Sequence, residues 1–465
     1  MTIGSTGSGE ISLARALARA ALAVDHGRFD AEVIAKAKIC LLDFLSCAFE
    51  ARNHPWSRQA IGIAREVGNG ATIIGTRTLA SPGDAAFANA TMGHGLVRDD
   101  MHAASICHHG VVIWPTLLAL SERTPLSGAT FLCAAIIGYE TGAQIGRALV
   151  TGDLARLYRP TGLVAPLGAA LAGSYALGLT EDAATSAVAI AANTSSGLNE
   201  WPRGGGSEMY FHPGFAARNA IAAIELAEAG AGASETILEG EAGLFAAFRR
   251  QPAPSEIRLF AGAAPEIMAV YNKPAPACNF AQTAAQAALR VARELGTSED
   301  IATVSIRVPD AAARYPGCDS KGPFHNALQA KMSIPFSVAA VLARGALEEE
   351  NYADAGDPKI LRLVERTDLQ SEPGLTAAFP AKPAAEVFVG LRNGQTIHHR
   401  LDNVIAATPE EIRARFRQAA SDVIGDKRAR HLEELVDDCA SLPDSHVIAA
   451  RCRLEPTEQR LRPAS

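Results

Sequence analysis

The 21 residues from Pro160 to Thr180, PTGLVAPLGAALAGSYALGLT, carry no charged side chain. A helix of that length and character either crosses a bilayer or lies inside a protein core. Pro160, Pro166, four glycines and Tyr175 lie within it, and a new helix start, Thr180-Glu181-Asp182, follows at once. These features favour the core. Such a helix must be covered on all sides, so the chain must supply a shell of other helices.

Most of the first 265 residues have that pattern. Apolar side chains recur at i, i+3 and i+4, with breaks at Gly and Pro. The pattern predicts helices over 11–24, 31–51, 57–67, 83–97, 110–122, 127–149, 164–178, 181–195, 213–230 and 234–239. Their many alanines and glycines let helix axes approach closely. Near residue 266 the texture changes. IATVSIRVPD (301–310) is β-rich, and AEVFVGLRNGQTIHHRL (385–401) is two strands joined by Asn393-Gly394, a strong hairpin signal. Amphipathic helices are expected at about 326–346 and 357–366, and again over 408–424. The reading is a mainly α protein. A large helical bundle domain is drawn from 1–265 and 403–465, and 266–402 form a smaller α+β domain.

A net charge of −7 argues against a nucleic-acid partner. Eight cysteines without a CxxC pair read as reduced thiols in cores. The opening MTIGSTGSGE has neither the basic nor the apolar region of a secretory signal, and residues 1–10 are expected to be disordered. The expectation is a cytoplasmic protein with no membrane partner.

GHGLVRDDMHAASICHHG (93–110) holds four of the 12 histidines, two adjacent aspartates and an arginine. His94, His102, His108 and His109 lack the HExxH or HxH spacing of zinc sites, so acid/base chemistry is preferred to a metal. Asp99 and His102 are three apart and would share one face of a helical turn, where a carboxylate orients an imidazole. In Tyr158-Arg159-Pro160-Thr161-Gly162 a guanidinium meets a helix start, a combination suited to a carboxylate. Arg203 precedes three glycines, but the GxxxxGK[ST] of a nucleotide loop is absent. Lys273 sits in VYNKPAPACNFAQ, stiffened by prolines at the domain junction. Lys321 lies in the long loop RYPGCDSKGPFHNALQAKMSIPFS.

AKICLLDFLSCAFEA, NATMGHGLVRDDMH, HHGVVIWPTLLALSE, RPTGLVAPLGAALAGSYALGLTEDAATSAVAIA, FHPGFAARNAIAAIELAEAG, NKPAPAC and QAKMSIPFSVAAVLARG occur in that order, over about residues 12–450. Together they resemble the landmarks of the MmgE/PrpD family, whose members include dehydratases of methylcitrate, decarboxylases of cis-aconitate and epimerases of iminodisuccinate. The resemblance implies an all-helical domain from both chain ends, a smaller domain like a permuted chorismate mutase, an active site between them, and a homodimer. Residue by residue, Asp99 and Asp100 match the family's paired acids, and Lys273 its lysine before the prolines. His108, or His109 beside it, matches its next histidine. Val97 falls where the lyase members keep an aspartate, Met101 on a usual threonine, Arg159 on a histidine and Met209 on a lysine.

The wording RDDMH, WPRGGGSEMYFHPGF and PGCDSKGPF is most similar to the iminodisuccinate epimerase branch. The resemblance therefore implies a cofactor-independent enzyme acting at the carbon next to a carboxylate of a small anionic di- or polycarboxylate. Its expected bases are Lys273 and either His102 or His108, with Asp99 orienting the imidazole. Arg98, Arg159, Arg203 and Lys321 are the expected cations, and Tyr158, Met101, Met209 and His109 line the substrate. A hydro-lyase or decarboxylase is the alternative. A metal-dependent hydrolase and a non-catalytic carboxylate-binding protein are the outside readings.

Overall fold

The computed structural model describes residues 11–249 and 251–455, so the disorder expected for 1–10 falls outside the described residues. At its centre is the uncharged segment, a helix over Pro160–Ala176 in which every residue but Tyr175 is buried. It packs along the helix Gly128–Leu149, and the contact is backbone to backbone. A Cβ on Gly168 would lie 2.5 Å from the Gly138 carbonyl oxygen, so only glycine permits this approach. Helices Gly110–Arg123, Glu181–Asn193 and His212–Glu228 complete the shell. The protein is mainly α with a smaller α+β portion. Among the described residues no helix is long and apolar enough to cross a membrane.

Several helix expectations need correction. The helix expected over 57–67 is Pro55–Ile63, and Glu66–Thr72 pairs as a strand with Leu79–Ala80. Gly68 and Gly70 in that stretch are poor helix formers. The helix expected to reach residue 97 stops at Gly93. Residues 235–239, within the helix expected over 234–239, form turns. The single helix expected over 326–346 is two, Ala327–Met332 and Ile334–Arg344. Ser333 divides them: its hydroxyl accepts the Phe336 N–H as an N-cap, and Pro335 follows in the first turn.

The smaller portion is built on a four-stranded sheet in the order Thr367–Ser371, Ile301–Val308, Ala385–Leu391, Thr396–Leu401. The Asn393-Gly394 hairpin is present, with Gly394 at φ 88°. Thr367–Ser371, which the pattern does not mark as a strand, pairs parallel to Ile301–Val308. Helices Gln282–Glu294 and Ile334–Arg344 pack with this sheet around one apolar cluster.

The tail joins the apolar cluster of the helical shell. Thr408 and Glu411 form a capping box that starts the helix Pro409–Ile424, which packs on the helix Ala31–Ala51. Phe416 meets Phe49 with ring centroids 6.5 Å apart. Two large apolar clusters result, and the loop 94–109 runs along the seam between them.

Candidate active site

The polar loop is shaped by short, local devices. Met101–His102 pairs antiparallel with Val270–Tyr271, which draws the loop against the chain leading to Lys273. His102 and Cys107 exchange two backbone hydrogen bonds, of 2.9 and 3.2 Å, closing a small knot around Ala103–Ser105. Ile106 inside the knot and Val97 before it adopt left-handed backbones, at φ 50° and 58°. For β-branched residues each such conformation costs about 1–3 kcal/mol and persists only where neighbours enforce it. Gly110 then opens the next helix. A Cβ there would meet the Tyr139 hydroxyl and Asp100 Oδ2, so the glycine leaves room for that pair.

Asp99 is the hub of the site, though not of the expected pair. Its Oδ1 accepts from His94 Nδ1 at 2.8 Å, and its Oδ2 lies 3.0 Å from His108 Nδ1, which also donates to the Asp100 carbonyl at 2.9 Å. Burial alone would raise the Asp99 carboxyl, but the two imidazoles hold it well below the usual carboxylate range. Burial pushes His108 down to about 3 and lowers His94 too, so both rings are neutral near pH 7. With Nδ1 committed, His108 keeps a free Nε2 lone pair. His94 Nε2 accepts from Arg159 at 2.7 Å, with Met209 Sδ 3.1 Å away. Arg159 Nε is buried and has no hydrogen-bond partner among the described residues, which leaves a donor for an anion.

Lys273 is wholly buried. Its Nζ donates to the Val97 carbonyl at 2.7 Å and to the Ala277 carbonyl at 3.2 Å. Burial lowers its pKa to about 8, with Asp99 opposing that shift. Arg415 of the tail helix donates to the Lys273 and Pro274 backbone carbonyls at 3.0 and 2.7 Å, which anchors the main chain that carries this side chain.

His108, Arg159 and Lys273 line one narrow cavity of about 20 Å³, together with Val97, Met101, Ile106, Cys278, Asn279, Phe280, Tyr315 and Met332. Ile106, Phe280 and Tyr315 also line a larger adjoining hollow, which gives the cavity a vestibule.

The other expected residues lie elsewhere. His102 does not meet Asp99, because residues 99–102 are not helical. Its Nδ1 faces Ser105 Oγ at 2.7 Å and its Nε2 faces Glu266 at 2.8 Å. Arg98 turns away to Glu50 at 2.5 Å and to Ser46. His109 bonds Ser105 and Cys107 behind the knot, and Met209 backs His94. Tyr158 packs edge-on against Phe248. Arg203 and Lys321 are exposed and do not line the cavity. Pattern reading missed Cys278, Tyr315 and Met332; only Cys278 carried a signal, as the end of the rigid NKPAPAC.

One atom each from His94, Asp99 and His108 lie within 4.8 Å of one another, the spacing of a metal site. The donor set argues against one. Both Nδ1 atoms carry protons aimed at acceptors, and Arg159 and Lys273 already supply positive charge to the same space.

Residues 15–257 match the MmgE/PrpD N-terminal domain, and residues 275–440 match the MmgE/PrpD C-terminal domain. The cis-aconitate decarboxylase of Aspergillus terreus is 32% identical over 223 residues, 46% of this chain and 45% of the fungal one. The chain thus spans less than half the length of that relative. Human cis-aconitate decarboxylase is 24% identical over 94% of each chain, and the 2-methylcitrate dehydratase of Cupriavidus necator is 27% identical over 80% of each.

Proposed function

The chain belongs to the MmgE/PrpD family, and on that premise we propose that it is an enzyme that moves a proton at the carbon next to a carboxylate of a small dicarboxylate. The observation that carries this reading is the convergence of Lys273 and His108 on one cavity, where burial lowers the pKa of both. Near pH 7 one is an ammonium acid and the other a neutral base, the division of labour that general acid/base catalysis requires.

His108 Nε2 takes the α-proton, and the imidazolium so formed is stabilised by Asp99. The electron pair left on carbon delocalises into the carboxylate as an enediolate dianion. Arg159, whose Nε has no partner among the described residues, is the N-cap of the helix Pro160–Ala176, where guanidinium and helix N-terminus both favour that charge. Lys273 returns a proton from its ammonium. If it does so on the opposite face, the product is the epimer. His108 then loses its proton to water and Lys273 regains one, and the site is reset.

Two features favour a dicarboxylate epimerase of the iminodisuccinate type. The cavity wall offers two cationic side chains, matching two carboxylates, and its remainder is largely apolar. Val97 lines it where the resemblance implies an aspartate in lyase members. A lyase is the second reading, favoured by the names of the relatives, a decarboxylase and a dehydratase. Proton NMR of di- and tricarboxylates in D₂O separates the two. Exchange at the α-carbon without a new alkene supports the epimerase, and alkene or CO₂ release supports the lyase. No exchange and no product with any of them removes the catalytic reading altogether.

A further inference from the structure

Lys331 does not line the cavity, yet it touches both segments that form it. It is completely buried, and its Nζ donates to the Leu96 carbonyl at 3.1 Å while pairing with Glu349 at 2.7 Å. Its own backbone carbonyl accepts the Cys278 N–H at 2.9 Å. The next residue, Met332, is part of the cavity wall. One residue thus ties the polar loop of the helical portion to the Lys273–Cys278 segment of the other.

The carbonyl it holds is informative. Leu96 precedes Val97, whose left-handed backbone needs outside support, and the Val97 carbonyl is held by Lys273. Two consecutive carbonyls of the loop are therefore fixed by two buried ammonium groups. Stability alone gives little reason for this, since replacing a buried ion pair by apolar side chains of similar size is often neutral or stabilising. Arg98 supports the same stretch from its far side through Glu50 and Ser46.

We propose that Lys331, held by Glu349, is a positioning residue that fixes the turn at Leu96-Val97 and through it the placement of Lys273 Nζ against Asp99 and His108. This rests on the reading of the cavity as a proton-transfer site. The role is geometric: Lys331 exchanges no proton with substrate.

The test uses the full chain with Lys331→Met, which keeps the length and removes the cation, and Lys331→Arg, which keeps a donor. Two readouts are taken: α-proton exchange of the best dicarboxylate, and titration of Lys273 by NMR of ¹³C-labelled lysine. Misplacement of the reacting group is expected to slow exchange by about 10²-fold in Lys331→Met. Titration of Lys273 is expected to move up from about 8 as water reaches its loosened Nζ, and Lys331→Arg to recover part of both. A folded Lys331→Met with wild-type exchange and an unmoved Lys273 titration overturns the proposal. Should that variant not fold, Glu349→Gln decides on the same two readouts, with a smaller effect in the same direction. Should wild type exchange no carboxylate, the proposed function falls, and the Lys273 titration alone decides the role of Lys331.

Discussion

His108 faces Asp99 through the near nitrogen of the ring: Nδ1 lies 3.0 Å from Oδ2 while donating to the Asp100 carbonyl at 2.9 Å, and the far nitrogen is left to the cavity. That carbonyl holds one tautomer, and the adjacent carboxylate stabilises the imidazolium that proton abstraction creates. His108→Asn should therefore lower α-proton exchange by about 10²–10⁴-fold. His102→Asn, at a ring committed to Glu266 and Ser105, should lower it by less than about tenfold while reducing the melting temperature. Equal losses of exchange in the two variants would falsify the assignment of His108.

Lys273→Ala should abolish epimerisation while circular dichroism stays that of the wild type, and exchange through His108 should persist at a reduced rate. The pH dependence follows from the pKa of Lys273, lowered by burial from 10.5 to about 8. Below that value the ammonium is present to return a proton, and above it the acid is lost. The rate in the direction where Lys273 is the acid should fall as pH rises through about 8. It should show no inflection near pH 6.5, because His108 is already neutral there. Rates between about pH 5 and about pH 10 check this. An alkaline limb no lower than that of an ordinary lysine removes Lys273 as the acid.

Arg159→Gln should weaken binding of an unreactive dicarboxylate such as succinate. A hydrogen bond to a charged group contributes about 1.5–3 kcal/mol, so calorimetry should record a Kd about ten- to hundredfold higher. An unchanged Kd would mean that the unpartnered Nε does not meet substrate.

Cys278 should react first with iodoacetamide. Its Sγ is 3.7 Å from Cys318 Sγ, and that contact, with Lys273 nearby, draws its pKa below the usual thiol value. It also lines the cavity, whereas burial pushes Cys40, Cys47, Cys107, Cys439 and Cys452 upward. Peptide mapping after brief labelling reports the order, and dicarboxylate should slow it. Prior labelling at another cysteine contradicts this.

Periodicity and turn chemistry made the helical shell, the Asn393-Gly394 hairpin and the buried nature of Pro160–Ala176 readable, since each depends on local pattern. The strand Thr367–Ser371 was not readable. TDLQS has little alternation, and its pairing partner lies some sixty residues earlier. The same division holds at the site. The histidines and aspartates announce themselves by density, but which imidazole meets Asp99 depends on a left-handed valine, a conformation that valine ordinarily disfavours. Helical spacing therefore chose His102, and the turn at Val97 delivers His94 and His108. Tyr315 and Met332 reach the cavity only through packing between distant segments.

The grip of Arg415 on the Lys273 backbone has a consequence for biosynthesis. During translation the helix Ala31–Ala51 leaves the ribosome several hundred residues before its partner Pro409–Ile424. Until then the nascent chain has an unclosed apolar face, and the segment carrying Lys273 lacks one of its anchors. A ribosome stalled before residue 409 should hold a polypeptide rich in native helices, bound by chaperones and unable to protect its polar loop from proteolysis. A product cut before residue 409 lacks both the partner helix and the Arg415 anchor, so it should not bind or exchange a dicarboxylate.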